Sequence, residues 1–307
     1  MKKIFLTFLL MLGICGSAFA NDGEDTSSNI FKKMGKNDKA AILMVHFGTT
    51  YDETRVNTLD TINMEVRNKY PKIEVREAYT SRIIMRRLKK RLIFKDNPTE
   101  ALDKLLKDGY THIVVQSTNI INGVEAETLK TQLDGYKDKF KEIRISTPLL
   151  TTPEDFKEVS TIINNQVGNL ENNEAVVLVG HGTSHIGNMA YPAMDYTSKS
   201  IGHKFYVGTI EGFPEFDDVV KALKKDKVEK VILMPFMFVA GDHANNDIAG
   251  EWKEDLEKAC FEVDVRLISL GMIEDIRQVF MKHLDFTIQN EKEDMVAKKV
   301  IYSKQND

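Results

Sequence analysis

VVLVGHGTSH (Val176–His185) is the stretch from which the fold is read. A β-rich run ends at Gly180, and a histidine follows between two glycines. Glycine lets the backbone turn tightly there and leaves the imidazole unshielded. Two later stretches repeat the arrangement. KFYVGTIEGFPEF (Lys204–Phe216) places Glu211 just past a strand, and VILMPFMFVAGDHANND (Val231–Asp247) does the same for His243. Strand ends gather along one edge of an open parallel sheet, and ligands bind at that edge. Two imidazoles and one carboxylate there suit a divalent transition metal and also supply proton acceptors.

Working outward, short β-rich runs alternate with helical stretches from Ala40 onward, which is the pattern of a parallel α/β fold. The predicted strands are Ala40–Phe47, Ile73–Ala78, His112–Ser117 and Glu142–Thr147, then Ala175–Gly180, Lys204–Thr209, Lys230–Pro235 and Val263–Ser269. Helices are expected over Glu53–Tyr70, Pro98–Lys107 and Thr152–Val167; the last two carry proline in the first turn. The two sets of strands look like a diverged repeat. HFGTT (His46–Thr50) answers HGTS (His181–Ser184), which makes His46 the expected counterpart of His181. HIVVQSTNIINGVE (His112–Glu125) answers KVILMPFMFVAGDH (Lys230–His243) and sets Glu125 opposite His243. The expected architecture is therefore α/β, with two similar doubly wound parallel-sheet domains, 39–168 and 169–307, facing a central cleft.

Each candidate has a plainer reading beside the functional one. His181 could cap a strand end, and Glu211 could be a surface carboxylate. Asp242 could orient an imidazole or cap the helix expected near Asn245. His46 could reach the cleft as a base or second metal contact, or be a hydrogen-bonded strand-end histidine. Arg82 and Arg86 belong to a basic run that reads mostly as a solvated helix face, yet both could pair with substrate carboxylates at the cleft edge. His185 and His203 read as surface residues, His112 as structural, and Phe236-Met237-Phe238 as core.

The N-terminus has the form of an export signal. Lys2 and Lys3 precede an apolar run, Ile4–Ile14, and a small-residue site, Ala18-Phe19-Ala20. Cleavage after Ala20 and a periplasmic location are expected, with no stable membrane span afterwards. Cys15 admits a lipoprotein reading, which bulky Ile14 opposes. Residues 21–38 are polar and read as a flexible leader. Cys260 is the one cysteine beyond the signal and reads as a packing residue at the end of a helix. The net charge is −4, so nucleic acid is not an expected partner. Self-association is left open.

No P-loop, no dinucleotide-binding glycine fingerprint and no nucleophile elbow is present, which disfavours nucleotide-driven chemistry. The remaining motifs bear a family resemblance. Phe47-Gly48-Thr49 with Asp52-Glu53-Thr54-Arg55, Ile121-Asn122-Gly123, Gly180-His181-Gly182-Thr183, Glu211-Gly212 and Val239-Ala240-Gly241-Asp242-His243-Ala244 resemble the single-chain sirohydrochlorin cobaltochelatases, which are class II chelatases. The resemblance runs from about Ala40 to near the C-terminus. It implies insertion of Co²⁺ into a tetrapyrrole, with His181, Glu211 and His243 as metal ligands; the residues themselves offer His181, Glu211 and His46 as groups to assist pyrrole deprotonation. Fe²⁺ or Ni²⁺ would also suit the ligand set, and no nucleotide is needed. Asn119, Val124 and His46 depart from the family pattern on the macrocycle side. Two other readings use the same residues: a periplasmic carrier of haem, tetrapyrrole or metal without turnover, and a metal-dependent hydrolase.

Overall fold

The computed structural model describes residues 26–241 and 244–291. Eight strands form two parallel sheets. The first holds β1 (Ala40–His46), β2 (Glu74–Tyr79), β3 (His112–Ser117) and β4 (Glu142–Ile145), in the order β2-β1-β3-β4. The second holds β5 (Glu174–Gly180), β6 (Phe205–Thr209), β7 (Lys230–Pro235) and β8 (Glu262–Val265), in the order β6-β5-β7-β8. Every predicted strand is present, with ends shifted by a few residues. Helices connect the strands, because parallel neighbours require a crossover that covers a face of the sheet.

Burial of each sheet on both faces explains the unbroken apolar runs. β1 and β5 are buried along almost their whole length. One side of each sheet has a core of its own. Leu43, Val45, Ile113 and Val115 pack with Leu102, Leu105 and Leu129, and Val177, Val179 and Leu233 pack with Leu223, Trp252 and Leu256. The opposite sides share one core, in which Ile42, Met44 and Val114 belong to the same cluster as Val176, Leu178 and Ile232.

Two helices cross between the halves. Helix Pro153–Val167, expected with the first half, lies against helix Ala190–Ser200 of the second. Helix Glu274–Gln289, expected with the second, returns to β3 and β4. Arg144 of β4 fixes that return: its buried guanidinium donates to the carbonyls of Thr287 at 2.9 Å, Ile288 at 3.2 Å and Asn290 at 2.8 Å. These acceptors are the carbonyls that a helix end otherwise leaves without partners.

Two expectations are corrected here. Residues 28–31, read as part of a flexible leader, are docked: Ile30 is buried, and its amide donates to the Ile288 carbonyl at 2.9 Å. Cys260, read as a packing residue, is exposed in a left-handed turn with φ +73°. The expected buried character of Phe236 and Phe238 holds.

Candidate functional site

The loops after β5 and β6 are locked together by main-chain contacts. The Ile210 amide donates to the Gly180 carbonyl at 3.0 Å, and the Glu211 amide donates to the His181 carbonyl at 2.7 Å. Gly182 sits at φ +83°, and a Cβ there would lie 2.7 Å from the Glu211 carbonyl carbon and 2.8 Å from the Gly212 nitrogen. Only glycine permits so close an approach in that conformation. His181 and Glu211, far apart in sequence, are thereby held on adjacent turns at the carboxyl edge of the second sheet.

His181 is half-buried, and its Nδ1 donates to the Gly182 carbonyl at 2.9 Å. A carbonyl can only accept, so Nδ1 carries a proton and Nε2 is the nitrogen suited to metal or proton binding. Glu211 is exposed and lines a pocket of 440 Å³ with Glu215, Asp217, Phe216 and Trp252. Three carboxylates on one open pocket give a field that favours cations.

Asn188 braces both loops, a role the sequence gave no sign of. It is buried, accepts from the Thr183 amide at 3.1 Å and donates to the Phe213 carbonyl at 2.6 Å. Asn188→Ala removes both bonds from partly buried loop groups. The expected cost is about 1–2 kcal/mol, read as a lower midpoint in chemical denaturation.

The first half supplies the facing wall. Gly187 lies against the Asn122 main chain, where an added Cβ would be 2.2 Å from the carbonyl oxygen. Thr54 donates to the Ala240 carbonyl at 3.1 Å, and His185 Nε2 meets Glu127 at 2.6 Å. The sequence motifs 47–55, 121–123, 180–187 and 239–241 are thus neighbours in space. Phe47, Tyr51, Val124, Ile186, Met189 and Phe213 each follow a strand end and are exposed, with Ile186 at 77% and Phe213 at 50%. Exposed apolar side chains gathered on the strand-end loops suit a flat, partly apolar ligand.

His46 is the principal correction. In strand register Ala40 pairs with His112 and His46 with Tyr79, while Glu174 pairs with Lys230 and Gly180 with Thr209. His46 therefore matches Gly180, and Phe47 matches His181. The loop bonds agree: Thr80 donates to the His46 carbonyl at 2.8 Å and Ser81 to that of Phe47 at 3.2 Å, as Ile210 and Glu211 do to Gly180 and His181. A shift of one residue turns a strand side chain to the opposite face. His46 consequently points into the core, fully buried, with Nε2 3.0 Å from Asn63 Oδ1 and Nδ1 3.1 Å from Thr118 Oγ1. Asn63 donates to Glu77 through Nδ2 at 3.0 Å, so its Oδ1 accepts from His46 Nε2 and Thr118 donates to Nδ1. The ring is neutral and satisfied and faces no cleft.

Burial pushes the His46 pKa below its ordinary 6.5, so the folded protein resists protonating it. In the window just below pH 6.5 the unfolded chain binds the extra proton and stability falls with acid, by up to ~1.4 kcal/mol per pH unit. Thermal melts between about pH 7.5 and 5.5 should show this slope, and His46→Gln should flatten it. His203, also shifted down by burial, contributes in the same direction.

Arg82 and Arg86 lie on helix Arg82–Lys90, exposed, where the chain leaves the Phe47 turn through Ser81. Asp242 and His243 lie outside the described residues. Among the described residues no three histidine, cysteine or acidic side chains form a metal cluster. Of the other histidines, His185 is half-buried and His203 is hydrogen-bonded to Ser160 at 2.8 Å. His112 is buried beside Thr111, as expected of a structural residue.

Comparison with known proteins accords with this geometry. The chain is similar to the sirohydrochlorin cobaltochelatase of Salmonella typhimurium strain LT2, at 34% identity over 251 residues, covering 80% of this chain and 95% of the relative. It is also similar to the sirohydrochlorin cobaltochelatase CbiKC of Nitratidesulfovibrio vulgaris, at 30% identity over 253 residues, covering 80% and 89%. Two solved structures share the fold. SirB from Bacillus subtilis with Fe³⁺ has a TM-score of 0.60 at 16% identity, covering 81% of this chain and 96% of SirB. CbiX, described as the terminal enzyme for siroheme biosynthesis in denitrifying bacteria, has a TM-score of 0.53 at 16% identity, covering 80% and 98%. The family profile for cobalt chelatase (CbiK) matches residues 40–289, and the chain belongs to that family.

Proposed function

We propose that this protein inserts Co²⁺ into sirohydrochlorin, with His181, Glu211 and His243 holding the metal substrate. The observation that carries the reading is the locked pair of turns, in which the Glu211 amide is bonded to the His181 carbonyl at 2.7 Å in a chain of the cobalt chelatase family. A half-buried imidazole presenting Nε2 and an exposed carboxylate on a cation-favouring pocket are the donors that a borderline divalent metal takes.

The chemistry follows from the donors. The macrocycle lies against the apolar rim formed by Phe47, Ile186 and Phe213, and its peripheral carboxylates meet Arg82 and Arg86. Two pyrrole N–H bonds break, four N–Co bonds form, and the bonds from the metal to the protein are given up. The two released protons pass to Glu211, or to His181 once its Nε2 has released the metal, and then to solvent. The metal keeps its charge, and no electron moves. Much of the acceleration comes from positioning metal and ring against each other. Fe²⁺ and Ni²⁺ would satisfy the same donors, so the metal used depends on supply as well as affinity.

The test is an anaerobic absorbance assay of the chain from Asn21 with sirohydrochlorin and Co²⁺. Many turnovers per protein are expected. A stoichiometric complex without turnover would instead make the protein a tetrapyrrole carrier. Export is part of the same proposal, with Lys2, Lys3, the run Ile4–Ile14 and Ala18-Phe19-Ala20 supporting a periplasmic, processed chain. N-terminal sequencing of protein recovered from the periplasm should begin at Asn21.

A further inference from the structure

Helix Arg82–Lys90 and the turn after it carry a surface that the fold does not require and that the proposed chemistry uses only at Arg82 and Arg86. Between Arg82 and Lys95 stand seven lysines and arginines and no acidic residue, in a chain of net charge −4. The inner side of the helix is ordinary: Leu88 is buried, and Ile84, Met85 and Ile93 pack against the shared core. The outer side exposes Ile83, Arg86, Lys89 and Lys90. Among the described residues Arg91 is paired with Asp52 and Lys95 with Glu77, whereas Arg82, Arg86, Lys89 and Lys90 form no ion pair.

The end of this helix works against the backbone. The Ile93 amide returns to the Leu88 carbonyl at 3.0 Å, and Leu92 adopts φ +61°. That left-handed position after a helix is where glycine costs least, and a branched, bulky residue is strained there. Burial does not compensate, since Leu92 is 80% exposed and Phe94 is 69% exposed. Strain held without internal packing points to a contact outside the chain. Apolar tips beside unpaired cations match a bilayer bearing anionic headgroups, with the cations at the headgroups and the tips at the acyl boundary.

We propose that this surface docks the protein peripherally on an anionic lipid bilayer. No helix among the described residues is long and apolar enough to cross a membrane, so the contact is one of surface attachment. The helix begins at Ser81, whose amide bonds to the Phe47 carbonyl, so the docking surface adjoins the cleft rim.

The test is flotation of the full chain with vesicles of phosphatidylcholine alone or with about one-third phosphatidylglycerol, at roughly 0.1 M salt. Wild type should bind the anionic vesicles at least about tenfold more tightly than the neutral ones, and lose that preference near ~1 M salt. Leu92→Gly and Phe94→Ser should each weaken anionic binding several-fold, and Lys89→Glu with Lys90→Glu should remove the preference. The apolar run Ile4–Ile14 is common to every variant, so differences between them report this surface. Leu92→Gly should melt no lower than wild type, because it relieves the backbone, so its loss of binding cannot be attributed to unfolding. Equal binding to both vesicle types, or variants that bind like wild type, would overturn the proposal. So would charge-reversed variants that leave vesicle binding unchanged but raise KM for sirohydrochlorin, which would make the surface a substrate guide. Variants that dissolve a dimer without affecting vesicle binding would overturn it too.

Discussion

His181→Ala is expected to lower the rate of cobalt insertion by about 10³-fold. In the proposed reaction the imidazole combines two roles that the substitution removes together. Its Nδ1 proton is committed to the Gly182 carbonyl, which leaves Nε2 as the nitrogen that meets metal or takes a proton. Loss of a positioned proton acceptor alone costs typically ~10²–10⁴-fold, and loss of a metal donor adds to it. The fold should survive, since the side chain is half-buried on a loop at the edge of the sheet. Initial rates of cobalt-sirohydrochlorin formation, read beside a thermal melt, separate the two effects. A rate within about threefold of wild type would remove His181 from the chemistry.

The largest effect from a residue with no donor of its own belongs to Gly182→Ala. A methyl group there would meet the Glu211 carbonyl carbon at 2.7 Å, the Gly212 nitrogen at 2.8 Å and Thr209 Cβ at 2.9 Å. All three are rigidly held, so the β5 and β6 turns must part. Left-handed strain of about 1–2 kcal/mol and overpacking of about 1–3 kcal/mol together destabilise by roughly 3 kcal/mol, or about 6–12 °C in Tm. Activity should fall further, by about 10²-fold, because the separation moves His181 relative to Glu211. Gly109→Ala is the matched control: it has φ +78° with nothing within 4 Å of the added carbon, so it carries the backbone strain alone. If both variants melt alike, the interlock of the two turns is not what holds the site.

The basic run at Arg82 shows how composition can be read in part. Its charge was plain in sequence, and the amphipathic helix with it. The exposed, left-handed Leu92 at its end depends on a φ angle that no spacing rule predicts. Asn188 was silent for a similar reason, because a lone asparagine after HGTSHIG gives no hint that its amide will bridge two loops.

The sequence by itself determined the α/β fold, the eight strands and the strand-end placement of His181 and Glu211. These follow from short-range rules: apolar runs buried on both faces, glycine at tight turns, and chain polarity, which sends every loop after a parallel strand to the same edge. The tertiary structure decided which side chains face the site. His46 and His181 look equivalent as letters beside a Gly-Thr, yet register places His46 level with Gly180 and Phe47 level with His181. With a side-chain period of two, that one-residue offset buries one imidazole and leaves the other half-exposed. The exchange of helices between the halves was also decided in three dimensions. Helix Glu274–Gln289 shows an apolar face in sequence, but the partner of that face is set by the Arg144 clasp and the shared core, which join residues more than a hundred positions apart.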